Sequence, residues 1–445
     1  MEKKETVAII GGGLSGSLLA CCLAKRGFKV SLYERRGDFR ETGYLGGRSI
    51  NLALSERGIN ALKKVNLADS VLDDAIAMNG RVMHSVAGEL SYQPYGKAGQ
   101  YINSVSRSGL NLKLIELADE FENVTLYFNY KCIDADLKNN TAIFETAEGE
   151  KVSVKADIML GTDGAFSAIR SEMQHTERFN FSQQYENYGY KELEIVPGPD
   201  NKFMLEEHAL HIWPRGEFMM IALPNPGGNF TCTLFMPYTG VNGLDKLKTE
   251  DDVKVFFNKY FADALPLMPG YIHDFFNNPT GSLLTVRCSP WVRGRFALVG
   301  DAAHAVVPFY GQGMNCSFED VAVLDELIDK HYPDWDKVLS EYQDARIDNA
   351  NAIADLALKN FVEMRDLVGH KDFLEFKHIE HDLCDLYPDK FKSQYELTTF
   401  TNMPYRYAWN QGFKNEQLIK AIISEGLKEK LEDRELMNKM FEKYL

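Results

Sequence analysis

Features that the sequence lacks narrow the function before any motif is considered. Its seven cysteines are odd in number, scattered, and never spaced as C-x-x-C, which argues against a zinc site, a disulfide framework and a redox-active cysteine pair. Basic charge is also scarce, because 49 Lys and Arg face 64 Asp and Glu, giving a net charge of −15. Nothing here favours nucleic acid or an anionic membrane surface as a partner, and we expect a cytoplasmic protein with reduced thiols and no bound metal.

Long uncharged stretches are almost as rare. The run 7–24 follows Lys3 and Lys4 and so resembles a secretory signal, but four glycines interrupt it, and cleavage before Cys21 would remove a predicted strand and turn. The C-terminal tail, 416–445, is amphipathic and heavily charged. We therefore expect neither export nor a membrane anchor.

A strand, a turn and a helix near the N-terminus carry a nucleotide-binding pattern. The apolar run 6–10 is typical of a strand covered on both faces, and Gly11, Gly13 and Gly16 then fill the spacing G-x-G-x-x-G. The first glycine suits a tight turn, the second a close approach of backbone to a pyrophosphate, and the third close packing of helix on sheet. Helical spacing over 14–26 predicts that the phosphates lie at a helix N-terminus.

An acidic residue at a suitable distance strengthens this interpretation. A second strand is predicted over 29–33, and Glu34 follows it, 18 positions after Gly16. A carboxylate there can accept hydrogen bonds from ribose hydroxyl groups but repels a 2′-phosphate, so the pocket suits FAD or NAD better than NADP. The chain has one G-x-G-x-x-G only, so NADPH, if it is used, must bind transiently.

Two further glycine turns follow apolar strands. The run 156–160 leads into the turn 161–164, and the run 296–299 leads into Gly300-Asp301, with a helix predicted over 314–330. Ligands of open α/β sheets bind at the carboxyl ends of strands, and helix N-termini direct N–H groups toward them. The turn 161–164 alone is equally compatible with an ordinary tight turn, and without the glycine turn beside it Asp301 would be interpreted as the cap of a turn. One extended cofactor that touches all three explains them together, and FAD is longer than NAD.

The remaining patterns predict the architecture. Strand-like runs at 210–214, 218–223 and 230–236 predict an antiparallel meander, and the glycine-led segment 46–55 predicts a loop that enters a helix. His208 and His211 lack a third metal ligand, so we interpret them as structural.

The fold class is α/β, or α+β overall. We expect a Rossmann-like FAD-binding domain with an inserted antiparallel β-sheet substrate domain and a helical C-terminal region. The predicted boundaries are 1–180 for the first part of the FAD-binding domain, with a substrate hairpin near 79–101, then 181–284 for the substrate sheet, 285–365 for the second FAD-binding part, and 366–445 for the helical region.

The three fingerprints together resemble those of the class A flavoprotein aromatic hydroxylases. They are Gly11 to Gly16 with Glu34, Gly161 to Gly164, and Gly300-Asp-Ala-Ala-His304. The segments 47–55, 188–193, 210–214 and 308–315 resemble members of that family that act on the aromatic amino acid L-kynurenine, and the likeness spans about residues 5 to 410. Eukaryotic members end in a membrane anchor, whereas the polar tail here predicts a soluble, bacterial-type enzyme.

The resemblance implies functional residues. The implied contacts of tightly bound FAD are Gly11, Gly13, Ser15, Gly16, Tyr33, Glu34, Arg35, Arg36, Ala53, Arg107, Cys132, Asp163, Asp301, Gly313, Met314 and Asn315. Cys132 departs from the family pattern, which has an aliphatic residue there. The implied substrate contacts are Arg81, Tyr95, Asn360 and Tyr395. Without the resemblance, Arg81 would be interpreted as a solvated arginine and Asn360 as an ordinary helix residue.

The activity implied by the resemblance is a hydroxylation. NADPH reduces FAD, O2 gives a flavin C4a-hydroperoxide, and L-kynurenine becomes 3-hydroxykynurenine, a step of tryptophan catabolism toward quinolinate and NAD. The substrate's own amino group supplies electron density, so no side-chain acid or base is expected. Two alternatives stay open: another aromatic or polyketide hydroxylase on this scaffold, and a noncatalytic flavin-binding protein. The sequence specifies no oligomeric state.

Overall fold

The computed structural model describes residues 5–42, 51–97, 99–364 and 371–445. The strands of this part of the chain are β1 (Thr6–Ile10), β2 (Lys29–Glu34), β3 (Asn51–Leu54), β4 (Ile76–Met78), β5 (Gly80–His84), β6 (Leu90–Pro94), β7 (Ile102–Ser106), β8 (Val124–Phe128), β9 (Lys131–Asp136), β10 (Thr141–Glu145), β11 (Lys151–Lys155), β12 (Ile158–Gly161), β13 (Asn180–Ile195), β14 (Ala209–Pro214), β15 (Met219–Pro224), β16 (Phe230–Pro237), β17 (Gly281–Ser289), β18 (Val292–Arg293) and β19 (Phe296–Leu298).

Helices connect and cover these strands. They are α1 (Leu14–Lys25), α2 (Phe39–Thr42), α3 (Glu56–Lys63), α4 (Ala68–Asp73), α5 (Arg107–Asp119), α6 (Ala168–Gln174), α7 (Glu250–Tyr260), α8 (Tyr271–Asn277), α9 (Gly313–His331), α10 (Trp335–Val362), α11 (Lys371–Leu386), α12 (Gln394–Thr399), α13 (Tyr405–Ser424) and α14 (Arg434–Tyr444). No helix among the described residues is both long enough and apolar enough to cross a bilayer.

A six-stranded sheet forms the centre of the nucleotide-binding part, in the order β18-β19-β12-β1-β2-β8. Its apolar central strands are buried, and α1, which packs against α5 and α9, is buried over nearly its whole length. The register pairs Ile10 with Gly161 and Gly161 with Leu298, all in parallel. Because these residues end their strands, the three predicted glycine turns lie side by side at one edge of the sheet.

A second, seven-stranded sheet has the order β17-β13-β16-β15-β14-β5-β6. The meander β14–β16 is antiparallel, as its sequence predicts. The hairpin β5–β6 also joins this sheet, however, because β5 pairs in parallel with β14. The sheet is therefore mixed, and this pairing places Arg81 beside Leu210.

One predicted element is wrong. The segment 46–55 was expected to lead into a helix, but Asn51–Leu54 is a strand that pairs with β7, and the helix begins only at Glu56. Residues 46–50 lie outside the described part. The four-residue strand is too short for periodicity to distinguish it from a helix turn, and its pairing with β7 decides its conformation.

The C-terminal helices form a core of their own. Side chains of α11, α13 and α14 bury one another around Leu383, Leu418 and Met437. The long helix α10 contacts α9 on one side and α13 on another. It thereby connects these helices to the nucleotide-binding part.

Candidate active site

Two of the three glycines of the first turn leave no room for a side chain, and the third borders open space. Gly11 has a φ of +112°, and a Cβ there would lie 2.5 Å from the carbonyl oxygen of Thr162. A Cβ on Gly16 would lie 2.0 Å from the carbonyl oxygen of Gly11, so helix and turn pack without room for a side chain. A Cβ on Gly13, at the N-cap of α1, would meet nothing within 4 Å. Gly13 therefore borders open space at a helix N-terminus, where a pyrophosphate is stabilised.

Side chains join the three turns to one another. The hydroxyl group of Thr162 donates to the carbonyl of Gly11, with 2.7 Å between oxygens, and thereby fixes the first turn to the second. Ser15 Oγ faces Gly300, where an added Cβ would lie 2.8 Å from it. Ser15, an expected cofactor contact, thus lies between the first turn and the third.

The Glu34 side chain is hydrogen-bonded to the backbone of the first turn. Its buried carboxylate accepts hydrogen bonds from the backbone N–H of Gly12 at 2.9 Å and from the backbone and side chain of Arg36 at 3.0 and 2.9 Å. Glu34 and Arg36 are therefore brought together beside the glycine turn, as expected for a ribose-binding pair.

Asp163 offers an unused acceptor at the second turn. One carboxylate oxygen accepts from the backbone N–H groups of Ala168 and Ile169 at 2.7 and 3.4 Å, at the start of α6. The other oxygen, Oδ1, is buried and has no hydrogen-bond partner in the described part of the chain. Burial raises the pKa of the Asp163 carboxyl. Burial is also the main cause that raises the pKa of the Cys132 thiol to about 12, and the charge of Asp163 adds to this effect. A bound ligand that donates a hydrogen bond would satisfy Oδ1.

The third turn presents Asp301. Gly300 adopts a left-handed φ of +64°, and Asp301 follows it in a short 3-10 turn. Asp301 as a residue is exposed to solvent, although protein atoms lie close around its carboxyl group. Burial raises the pKa of this carboxyl, while the charges of His304 and Arg107 act in the opposite direction. Arg107, at the start of α5, therefore lies close enough to Asp301 for its charge to act on that carboxyl.

The beginning of α9 completes the row of turns. Gly313 and Met314 lie in its first turn, where helix N–H groups lack partners within the helix. The buried amide of Asn315 accepts from Ser55 N at 2.9 Å and donates to the carbonyl of Ala53 at 2.7 Å. These bonds hold β3, with Ala53, against the start of α9.

The side chains of two expected cofactor contacts, Tyr33 and Arg35, do not lie in the row of turns. The Tyr33 ring packs among aromatic residues, with its centroid 4.7 Å from that of Tyr127 and 4.4 Å from that of Phe144, and burial raises its pKa to about 12. Its backbone carbonyl accepts from Gly11 N at 2.8 Å. Arg35 is exposed beside Arg36. Any cofactor contact of Tyr33 must therefore run through its backbone.

This constellation fits FAD. Open space lies beside Gly13, one oxygen of Asp163 is unsatisfied within the described residues, and α9 begins at Gly313. These features are compatible with phosphates, hydroxyl groups and a flavin ring, respectively.

A second cluster combines one arginine with tyrosine rings. The Arg81 guanidinium carbon lies 5.1 Å from the ring centroid of Tyr95 and 5.0 Å from that of Tyr395. The two rings stack at 5.6 Å with an interplanar angle of 11°, and Tyr310 stacks on Tyr395 at 5.6 Å. Arg81 Nε and Tyr95 Oη are both buried without a hydrogen-bond partner among the residues that the structure describes. The two side chains also lie close enough to interact electrostatically. A cation and a phenol that lie side by side, each with a buried polar atom that makes no hydrogen bond within the described residues, could together bind a carboxylate.

Asn360 is connected to this cluster indirectly. Its amide nitrogen donates to the carbonyl of Phe309 at 2.6 Å, and Phe309 precedes Tyr310. The Phe309 ring stacks on Phe361 at 4.1 Å and lies 4.9 Å from the ring of Phe235 in the seven-stranded sheet. An apolar, aromatic wall therefore adjoins the Arg81 cluster.

A buried group of His304, Cys316 and Asp320 has the composition of a metal site. His304 Nε2 lies 2.6 Å from Asp320 Oδ2, and Arg346 donates to Asp320 Oδ1 at 2.6 Å and approaches Cys316 Sγ at 3.4 Å. A guanidinium cation thus occupies the space between the thiol and the carboxylate. This arrangement favours an ion-pair network over a metal site.

Comparisons with known proteins agree with this geometry. A family model described as an FAD binding domain matches residues 4–357. A kynurenine 3-monooxygenase of Myxococcus xanthus is 45% identical over 428 residues, covering 96% of this chain and 92% of that one. The enzyme of the same name from Dictyostelium discoideum is 42% identical and covers 99% and 98%, and that from Sus scrofa is 42% identical and covers 94% and 89%.

The chain belongs to the kynurenine 3-monooxygenase family. Solved structures that resemble this family member include a tetrameric 2-methyl-3-hydroxypyridine-5-carboxylic acid oxygenase, with a TM-score of 0.68, 20% identity, and coverage of 84% of this chain and 96% of that one. A p-nitrophenol 4-monooxygenase from Pseudomonas putida has the same TM-score and identity and covers 85% and 94%. At this identity the likeness establishes the shared fold.

Sequence reasoning missed several residues of this kynurenine 3-monooxygenase family site. Thr162 fixes the first turn, Tyr310 extends the tyrosine stack, and Gln312 donates to Ser55 Oγ at 3.3 Å. Their positions within the glycine motifs were a signal for Thr162 and Gln312. Tyr310 lies within the segment 308–315 that resembles the family, but that pattern indicated no role for its ring.

Proposed function

We propose that this protein is an FAD-dependent monooxygenase that hydroxylates L-kynurenine at C3 and consumes NADPH and O2. The balanced reaction gives 3-hydroxykynurenine, NADP+ and water from L-kynurenine, NADPH, a proton and O2. The observation that carries this proposal is the pair of unsatisfied buried groups, Arg81 Nε and Tyr95 Oη, beside an aromatic wall. The names of relatives more than 40% identical over nearly the full chain support it.

The residues of the three turns would hold FAD. Gly13 would border the pyrophosphate, Glu34 with Arg36 the ribose, and Asp163 and Asp301 the remaining hydroxyl groups. When bound, the flavin accepts hydride from NADPH and activates O2 for transfer to the ring. The N–H groups of Met314 and Asn315, at the positive end of α9, would stabilise negative charge on the reduced ring.

The Arg81 cluster would bind the amino-acid end of the substrate. The Arg81 side chain can donate to a carboxylate, and Tyr95 Oη can add a second donor to the same group. Tyr395 covers the cation with its ring face at 5.0 Å. The Asn360 amide nitrogen is committed to Phe309, which leaves the Asn360 oxygen as an acceptor for the substrate ammonium group.

The aromatic wall would orient the substrate ring and exclude water. Phe235, Phe309 and Phe361 pack ring to ring there, and dry surroundings limit wasteful release of peroxide. Since the arylamine of the substrate supplies electron density, no side chain is assigned as acid or base. Orientation and exclusion of water are the contributions of this chain.

The domain organisation of the chain supports separate sites for the flavin and for the substrate. We propose that 1–180 and 285–365 form the FAD-binding domain, 181–284 the substrate sheet and 366–445 a helical region. Seven free thiols support a reducing compartment, which would be the cytoplasm.

The substitution Arg81→Met tests the substrate assignment. We expect intact FAD content but no stimulation of NADPH oxidation by L-kynurenine, because the carboxylate loses its cation. Arg293→Met is the matched control, since Arg293 bonds Thr176 and Glu177 at the far edge of the six-stranded sheet and should leave stimulation unchanged.

Three outcomes would contradict the proposal. An unchanged response of Arg81→Met would favour a different aromatic substrate. A purified wild-type protein that carries FAD but never turns over NADPH with any aromatic amino acid would favour a noncatalytic flavoprotein. A colourless protein that takes up no FAD would remove the basis of both interpretations.

A further inference from the structure

A chain of buried ion pairs adjoins the flavin turns, which are the glycine turns at 11–16, 161–164 and 300–301. Arg57 pairs with Glu319 Oε1, and Arg346 pairs with Glu319 Oε2 and with Asp320 Oδ1. Asp320 in turn pairs with His304. The side chains of the two arginines are at most 3% exposed, that of Asp320 is fully buried and that of Glu319 is 16% exposed, so two guanidinium cations and His304 share two largely buried carboxylates. Removal of any one charge would leave its partner uncompensated.

One end of this chain holds the third glycine turn. Asp320 Oδ2 accepts from the backbone N–H of Gly300 at 3.0 Å and from His304 Nε2 at 2.6 Å. Gly300 is the residue with the left-handed φ that presents Asp301. The carboxylate of Asp320, oriented by Arg346, therefore fixes the backbone of a predicted flavin contact.

The other end holds the turn after α12. Arg57 Nη2 donates to the carbonyl of Met403, and Arg57 Nε donates to that of Thr398 at 3.4 Å. The Arg57 guanidinium also stacks on the Tyr405 ring at 3.9 Å. Thr398 lies one helical turn after Tyr395, which covers Arg81. Arg57 thereby reaches the helix that carries a substrate-cluster tyrosine.

A second connection runs parallel to the first. Tyr405 Oη donates to Gln312 Oε1 at 2.8 Å, and Gln312 Nε2 donates to Ser55 Oγ at 3.3 Å. Gln312 is the residue immediately before Gly313, where α9 begins. Tyr405, whose ring stacks on Arg57, is therefore hydrogen-bonded to Gln312, the residue before the start of α9.

We propose that Arg57 is a positioning residue that couples α12, with Tyr395, to the flavin turn at 300–301 and to the start of α9 at 312–315. Its fork-shaped guanidinium satisfies a carboxylate and two carbonyls at once, which a lysine ammonium at the same place cannot do with the same geometry. The kinetic consequence of this inference rests on the proposed function, whereas the structural consequence does not.

The structural consequence is tested by amide hydrogen exchange in the full-length, FAD-loaded protein. In Arg57→Lys we expect faster exchange both in 394–405 and in 311–315, because local opening is transmitted through the shared network. The matched control is Arg26→Lys, since Arg26 pairs with Asp325 and Asp329 on the distal half of α9. The control should speed exchange near those residues only.

The kinetic consequence is a change in substrate use. Arg57→Lys should raise KM for L-kynurenine about tenfold, as loss of one or two charged hydrogen bonds implies, with KM for NADPH unchanged and more peroxide formed per NADPH. If Arg57 acts through Tyr395, the same substitution in a Tyr395→Ala background, which lacks the ring over Arg81, should raise KM less than about twofold further.

The outcomes separate the inference from the proposed function. Faster exchange confined to 394–405, or absent from both segments, overturns the coupling. Normal KM and normal peroxide release at full FAD content overturn the positioning role, since a purely structural arginine lowers the melting temperature alone. If wild type fails to oxidise NADPH with L-kynurenine, the proposed function fails, and the exchange data still decide whether Arg57 couples the two regions.

Discussion

The flavin turns and the Arg81 cluster are built by different means. The turns are defined by backbone: Gly11 and Gly16 are so close to neighbouring chain that a Cβ would lie within 2.5 Å of a carbonyl oxygen. The cluster is defined by side chains, because Arg81, Tyr95 and Tyr395 meet from distant segments through ring faces. A side chain added at Gly11 or Gly16 should therefore affect folding and FAD together, whereas damage to the cluster should affect substrate binding alone.

The largest expected effect is the difference between substitutions at two glycines of the same motif, Gly16 and Gly13. In Gly16→Ala the new Cβ would lie 2.0 Å from Gly11 O and 2.6 Å from Thr162 Oγ1, so we expect a loss of about 3 kcal/mol in the free energy of unfolding and no retained FAD. In Gly13→Ala the Cβ meets no protein atom within 4 Å. The apoprotein should keep its stability within about 0.5 kcal/mol, while FAD binds at least about tenfold more weakly.

Thermal melting of the apoproteins and FAD retained after gel filtration measure these effects. If Gly13→Ala retained as much FAD as wild type, the open space beside Gly13 would not be a cofactor site.

The same contrast explains which features could be predicted from the sequence. The glycine spacing, the strands 6–10 and 29–33 and the meander were readable because their signals are local, and the structure confirms those strands. The joining of the hairpin β5–β6 to β14 was not readable, since parallel pairing between segments over a hundred residues apart leaves no local pattern.

The site followed the same rule. Motif positions such as Asp163 and Asn315 could be listed from the resemblance, but the unsatisfied oxygen of Asp163 depends on how α6 is capped. Tyr310 was missed because its role arises from stacking on Tyr395, 85 positions away. The Arg57 network was invisible for a similar reason: its partners lie on α9 and after α12.

Buried histidines should give the two regions opposite responses to pH. Burial lowers the pKa of His211, in the seven-stranded sheet, to about 4, so its contribution to stability is present above about pH 6.5 and is lost as the pH falls toward 4. This loss is on the order of 3 kcal/mol. On the flavin side, burial opposes the charge of His304, but the Asp320 carboxylate outweighs it and raises the pKa. That contribution is present below about pH 6.5 and is lost as the pH rises through the raised pKa.

Denaturant unfolding between pH 4 and 7 measures the acid limb. His211→Gln should make it shallower, because one titrating group is gone while His84, 3.0 Å from His211 and with a pKa that burial also lowers, remains. An acid limb as steep as that of wild type would assign it to His84 or to carboxylates instead.

A smaller effect is expected at the second turn. Asp163→Asn keeps an oxygen for the N–H groups of α6 but replaces the free carboxylate oxygen with a donor, so FAD affinity should fall about tenfold. Ser167→Ala is the matched control, because Ser167 caps the same helix by accepting from Arg170 N at 2.9 Å. It should cost about 1 kcal/mol of stability and leave FAD affinity unchanged. Equal FAD losses in both variants would mean that Asp163 only caps α6.

The smallest effect on stability is expected in the Arg81 cluster. Tyr95→Phe removes a buried hydroxyl group that has no partner within the described residues, so the melting temperature should stay constant or rise slightly. KM for L-kynurenine should nevertheless increase about tenfold, since a donor to the carboxylate is lost. Tyr342→Phe reverses this pattern: its hydroxyl group donates to Leu298 O at 3.1 Å, and its loss should cost about 1 kcal/mol with KM unchanged. A fall in the melting temperature of Tyr95→Phe without a change in KM would show that its hydroxyl group serves the fold and not the substrate.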